Sequence, residues 1–184
     1  MSVPARGLAL FDTAIGRCAI AWGERGIVGV QLPEASDAAT LRRLRRPPGA
    51  MDEVPPPPIR HAIDAVVALL RGARAEPDPL RAVPLDMEGV PPFHQRVYEV
   101  ARAIAPGITL SYGEVAARTG EPGAARAVGQ ALGANPFAPI VPCHRVLAAG
   151  NGAGGFSARG GVATKLRMLE IERARFGAPG LFDF

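Results

Sequence analysis

At 184 residues, 48% of them hydrophobic and 21% charged, the sequence has the composition of an ordinary globular protein with enough chain for one ample core or two small ones. Its net charge of +4 is unevenly placed: residues 1–100 hold twelve arginines against twelve acids, whereas 101–184 hold eight arginines and Lys165, the only lysine, against five acids. No apolar run approaches a membrane span, and the start "MSVPARGLALFDTAIGR" lacks the basic, apolar and small-residue succession of a secretory leader, so a cytoplasmic protein is expected.

In chain order, "GLALFDTAIGRCAIAWGERGIVGVQLPE" alternates apolar and polar residues around Gly16 and a "GERG" turn, which predicts two or three antiparallel strands. Cys18 falls inside one of them and reads as a small buried hydrophobe. "DAATLRRLRR" predicts a short helix ending before Pro47. Pro55–Pro58 can only be an extended connector. Ile59, Ile63, Val66, Val67 and Leu70 then recur at helical spacing, with Gly72 as a stop. "LRAVPLDMEGVPP" predicts a last strand and a linker, which sets a boundary near Gly89 between a first unit, residues 1–88, and a second, residues 89–184.

The second unit reads as mostly helical. Phe93, Val97, Val100, Ala101 and Ile104 form one apolar stripe between Pro92 and Pro106. Ser111 stands three residues before Glu114, the reciprocal capping-box spacing. Gly120 ends that helix, and a second is predicted from about Pro122 to Gly133. Two short helices joined by a glycine turn are a helix-turn-helix candidate. Ala124, Ala125, Ala127 and Gly129 around Arg126 would let the second helix lie against a flat surface, or simply pack tightly on another helix. A basic surplus in this half suits a polyanion-binding face; an arginine-favouring codon bias would leave the same count.

After that helix comes "NPFAPIVPCHRV", Asn135 to Val146. Asn135 precedes a proline and must leave helical geometry. The apolar run behind it carries Cys143 into the interior or to a pocket floor. A thiol there needs something that favours its thiolate, and His144, through a bridging water or a local turn, could take its proton. The bare dipeptide also fits a chance neighbour in the core. Three histidines and two cysteines show no metal-ligand spacing, and the glycine-rich loop 148–161 shows no phosphate-binding pattern.

"PCHRV", preceded by "RAVGQALGANPFAPIV" and set at this distance from "SYGE", resembles the O6-alkylguanine-DNA alkyltransferases through the whole second unit. The resemblance implies an α/β (α+β) fold: a ribonuclease H-like first unit with a small antiparallel sheet and helix, and a helical second unit carrying the helix-turn-helix. It implies that Cys143 accepts the alkyl group irreversibly, once per molecule. His144 would be its base through a water, Glu172, in the helix "ATKLRMLEIERARF", would orient His144, and Asn135 would hold the active-site turn. Arg126 would fill the gap left by an extruded nucleotide, and Tyr112 would rotate it and protonate the base. The carbonyls of Cys143 and Val146, with Ser157, would read the guanine edge, and the loop with Phe156 would wall the pocket. The implied partner is double-stranded DNA carrying O6-alkylguanine, met from the minor groove by a monomer without cofactor or metal. O4-alkylthymine and alkyl-group size stay open, and so does Glu170 in place of Glu172. Phe156 stands where many members carry tyrosine, and "SARGG" is two residues longer than their usual segment. The alternative is a non-catalytic protein that flags alkylated DNA, although such members replace the cysteine.

Overall fold

A computed structural model of the chain describes residues 6–150 and 152–175. Residues 1–5, at the start of the stretch read for a leader, Asn151 of the glycine-rich loop, and Phe176, where the last predicted helix ends, lie outside the described residues with the rest of the C-terminus.

The alternating stretch folds as an antiparallel meander of β1 (Gly7–Thr13), β2 (Gly16–Gly23) and β3 (Gly26–Gln31). One face buries Ala9, Phe11, Cys18, Ile20, Trp22, Ile27 and Val30 with Ile59, Ala62, Val66, Leu69 and Leu70 of α2 (Pro57–Leu70). Only Pro55 and Pro56 of the Pro55–Pro58 run stay an extended connector: Pro57 and Pro58 open the helix, whose first turn has no N–H bond for proline to lose. The opposite face sets Leu8, Ala19 and Ala21 against Leu44, just past the end of α1 (Asp37–Arg43). Cys18 has no exposed surface, and burial pushes its thiol up to about 12, against a weaker opposing contact with Thr13. It is an inert core residue.

The strand expected in "LRAVPLDMEGVPP" shrinks to a single parallel bridge between Leu85 and Ile27, preceded by a 3-10 turn at Pro79–Ala82. Pro79 and Pro84 have no N–H for a ladder, so only the groups around Leu85 pair: Ile27 N donates to the Pro84 carbonyl and Asp86 N to that of Ile27.

In the second half, α3 (Pro92–Arg102) buries Val97, Tyr98 and Ala101, and the Tyr98 hydroxyl donates to the Ala131 carbonyl at 2.8 Å. α4 (Tyr112–Arg118) begins with the expected capping box: Ser111 Oγ accepts from Glu114 N at 3.1 Å, and the Glu114 carboxylate accepts from Ser111 N at 2.6 Å. α5 (Ala125–Gly133) starts three residues later than its spacing predicts. Glu121 to Ala124 close a turn instead, with Gly120 and Gly123 at φ of 85° and 94°, where a side chain would be strained. α6 (Val162–Ile171) follows the glycine-rich loop.

One pairing has no local sequence signal. β4 (Leu110–Ser111) and β5 (Val146–Leu147) run parallel, Leu110 beside Val146 and Ser111 beside Leu147. A second long-range tie joins Val30 of β3 to the segment after α5, Val30 N donating to the Pro136 carbonyl at 2.8 Å. A continuous hydrophobic cluster runs from the sheet through α2, α3, α4 and α5 to Met168 of α6.

The capping box fixes where α4 begins and hence where Tyr112 stands. Ser111→Ala is expected to lower stability by about 1 kcal/mol, read as a lower urea midpoint with unchanged slope.

Candidate active site

The chain leaves α5 at Ala134 and is re-aimed by Asn135. Its Oδ1 accepts from Phe137 N at 2.9 Å and its Nδ2 donates to the Val141 carbonyl at 2.9 Å, so one side chain staples both ends of the apolar run before the cysteine. Cys143, His144 and Arg145 then form a single 3-10 turn, not an extended strand, closed by Arg145 N on the Pro142 carbonyl and Val146 N on that of Cys143. Such a turn allows consecutive side chains to serve one site where a strand would send them to opposite faces.

Behind the turn lies a dry cluster of charge. His144 is 1% exposed, Arg145 2% and Glu172 3%. His144 Nε2 stands 2.7 Å from Glu172 Oε1. Arg145 reaches the same carboxylate with Nη2 at 2.8 Å from Oε1 and Nε at 3.0 Å from Oε2. Burial alone would raise Glu172, but its hydrogen bonds and charge interactions with His144 and Arg145 hold it at about 2. Burial pushes His144 down against the pull of Glu172, with Arg145 and Lys165 adding to the push. Its Nδ1 is buried and has no partner among the described residues. Burial raises the Cys143 thiol, opposed by Asn135, the charge of Lys165 and the N–H groups of Cys143 and His144. The resting pair at neutral pH is therefore a thiol and a neutral imidazole. Glu172 caps α6 facing inward, while Glu170 is exposed, so the glutamate at the histidine is Glu172.

Lys165 is the residue that sequence reasoning passed over. It has no exposed surface, and its Nζ donates to the Val146 carbonyl at 2.6 Å, to the Gly155 carbonyl at 3.2 Å and to the Tyr112 hydroxyl at 3.4 Å. Burial lowers its pKa to about 8, with Cys143 opposing. Tyr112 is pushed up by burial and by Cys143. A signal existed: Lys165, Met168, Leu169 and Glu172 stand at i, i+3, i+4 and i+7, the buried stripe of α6.

A cavity of about 760 Å³ opens over the cysteine. Its walls bring together Tyr112, Arg126, Cys143, Phe156 and Ser157. Asn135, His144, Val146 and Glu172 stand behind it rather than in its lining. Val146 is wholly buried, and its carbonyl is the one that receives Lys165. Arg126 projects from α5 exposed, and no hydrogen bond or ion pair holds it among the described residues. Gly154, at φ 74°, passes so close to the Tyr112 ring that a Cβ would stand 2.7 Å from its hydroxyl. No group of three or more metal-ligating side chains converges among the described residues.

Residues 92–174 match the family profile of the 6-O-methylguanine DNA methyltransferase DNA-binding domain. The chain is similar to the methylated-DNA–protein-cysteine methyltransferase of Mycobacterium tuberculosis strain H37Rv, 46% identical over 123 residues that cover 66% of this chain and 70% of that protein. It is also 39% identical over 165 residues to the regulatory protein ada of Salmonella typhimurium; those residues are 89% of this chain and 44% of that longer protein. The crystal structure of Mycobacterium tuberculosis OGT in complex with DNA matches with a TM-score of 0.68 at 34% identity, covering 91% of this chain and 92% of the other.

The charge of Lys165 is expected to favour the Cys143 thiolate. Lys165→Met should slow alkylation of Cys143 by iodoacetamide roughly threefold or more, since each unit of rise in thiol pKa cuts the thiolate fraction about tenfold and only part is regained in nucleophilicity. Cys18, fully buried, stays silent in this measurement.

Proposed function

We infer the function from a premise of kinship: the chain belongs to the methylated-DNA–protein-cysteine methyltransferase family. On that premise the protein repairs DNA by direct reversal, taking the alkyl group of O6-alkylguanine onto Cys143. Residues 89–184 act as the DNA-binding and alkyl-acceptor unit and residues 1–88 as its support. The observation that carries this reading is the placement of Cys143 in a cavity with room for a nucleobase, next to a buried imidazole already bonded to a carboxylate.

An alkyl group on guanine O6 is shielded inside a stacked duplex, so the nucleotide must be extruded at a cost of about a few kcal/mol. α5, with Ala125, Ala127 and Gly129 beside Arg126, meets the minor groove, and the guanidinium takes the vacated place in the stack. Tyr112 turns the nucleotide into the cavity, where Ser157, Phe156 and the Cys143 carbonyl meet the base; the Val146 carbonyl, expected to join them, is buried behind the lining and taken by Lys165. The thiol proton passes through one water to the unpartnered Nδ1 of His144, whose Nε2–H stays on Glu172. Sulfur bonds to the alkyl carbon as the carbon–O6 bond breaks, and the electron pair leaves with the guanine. The Tyr112 phenol protonates that anion, and the ammonium of Lys165 balances the phenolate left behind. Asn135 holds the turn in place throughout. The product is a thioether with no route back, so each molecule acts once.

Incubated with a duplex oligonucleotide carrying one O6-methylguanine, the intact protein is expected to gain the mass of one methyl group, and Cys143→Ala none. Binding without gain would favour a protein that flags lesions; neither binding nor gain would refute both readings. Arg126→Ala should keep iodoacetamide reactivity at Cys143 while losing repair of the duplex; equal repair by both proteins would remove Arg126 from the extrusion step.

A further inference from the structure

Glu172 serves two side chains, and the reaction above uses only one of them. His144 and Arg145 both meet Oε1, at 2.7 and 2.8 Å, and Arg145 Nε also meets Oε2 at 3.0 Å. The remaining arm of the guanidinium, Nη1, donates to the Ile104 carbonyl at 2.6 Å. A 2%-exposed arginine spread over a carboxylate and a backbone carbonyl is no surface ion pair. It adds a full positive charge beside the ring that must receive the thiol proton.

Resting on the reaction proposed above, we propose that Arg145 is a positioning residue that keeps His144 a neutral base of one tautomer. A buried imidazole facing a carboxylate alone is drawn toward imidazolium, as in any close His–carboxylate pair. An imidazolium donates from both nitrogens and has no lone pair for a thiol proton. Arg145 neutralises Glu172, so the carboxylate takes one hydrogen bond from Nε2–H without holding a second proton on the ring. Its paired bonds also fix the carboxylate so that Oε1 faces the imidazole. Nδ1, buried and without a partner among the described residues, is left as the acceptor. The charged and titratable groups around His144 are Glu172 and Lys165 from α6, with Arg145 and Cys143 in its own turn. Arg74 meets them only through the Glu172 backbone carbonyl. Two of these are fixed or buried cations that disfavour imidazolium, and of the two Arg145 is the one in contact with the shared carboxylate.

The test reads the ring and the rate separately. With 15N-labelled histidine, wild-type His144 is expected to be the neutral Nε2–H tautomer at pH 7 and to stay so below the pH at which an ordinary histidine takes up its second proton. Single-turnover methyl transfer should keep its rate over the same range and fall below it. In Arg145→Gln the His144 titration and the acid limb of the rate should both move up together by about one unit or more. Arg145→Lys keeps the charge without the paired bonds, and should slow transfer while leaving the His144 midpoint near that of wild type. Loss of one member of a buried pair can unfold a protein; should Arg145→Gln not fold, wild type and Arg145→Lys decide the matter. A wild-type imidazolium at pH 7, a folded Arg145→Gln with an unmoved midpoint, or an Arg145→Lys midpoint raised as far as loss of charge predicts would overturn the proposal. A wild type that transfers nothing while His144 titrates as described would refute the reaction and uphold this role for Arg145.

Discussion

One carboxylate, held out of water, organises everything behind the cysteine. Glu172 ends α6 and turns its side chain inward, where an isolated negative charge would be strongly disfavoured. It persists as an anion because two neighbours from one 3-10 turn, His144 and Arg145, converge on it, and because Gly107 N adds a weaker bond at 3.4 Å. The dependence is mutual. Without Glu172, Arg145 would be an unpaired cation in the core and His144 would lose the bond that fixes its tautomer. Breaking such a set from either side leaves a buried charge uncompensated, which typically costs about 3–5 kcal/mol. The local folds of residues 143–145 and of the α6 terminus are therefore one problem with one solution.

That turn is placed by contacts that span the chain. β5 follows the turn directly and pairs with β4, which runs straight into the capping box of α4. Two short strands thus bring Tyr112 and Cys143 to one cavity and set α4 and α5 around it. From the other side, Val30 of the first sheet holds the chain at Pro136, immediately after Asn135. The pocket loop is held from below: Lys165 grips the Gly155 carbonyl and the Val146 carbonyl together, joining loop and turn through one ammonium. The first unit's sheet therefore holds the segment before Cys143 through one backbone hydrogen bond and the shared hydrophobic cluster, with no side chain of β1 to β3 in the lining of the cavity above Cys143.

Features set by neighbours in sequence were legible in advance. The meander, the α3 stripe and the Ser111–Glu114 box each depend on residues a few positions apart, and each formed. The boundary of α5 was misplaced because Pro122 is a good helix start, whereas Gly120 and Gly123 stabilise a turn that consumes three more residues. The expected strand shrinks to one bridge at Leu85 because Pro84, directly before it, has no N–H to extend a ladder. β4 and β5 are two residues each and pair far along the chain, so no window contains both halves of the signal. Lys165 was missed for another reason. A lysine reads as solvated by default, and its burial follows only when Leu169 and Met168 on the same stripe are given more weight than its charge. Cys143, His144, Asn135 and Glu172 were reached through motif resemblance, and the two-partner geometry of Glu172 through the structure alone.

If the proposed reaction uses each molecule once, the direction of the two titrations bears on how such a protein can be stored. Burial raises the Cys143 thiol and lowers His144, so the reactive pair rests uncharged. A permanently ionised cysteine would react with any soft electrophile that reached it, and on the proposed chemistry each such event would consume a molecule for good. Keeping the proton on sulfur until a base with an open lone pair accepts it limits that loss. The same burial that protects the thiol would, in the proposed reaction, require help: Asn135 and two backbone N–H groups for the developing thiolate, Lys165 for its charge, and His144 for its proton. On the proposed chemistry the site therefore suits a nucleophile that ionises as the alkyl carbon arrives rather than one that is always ready.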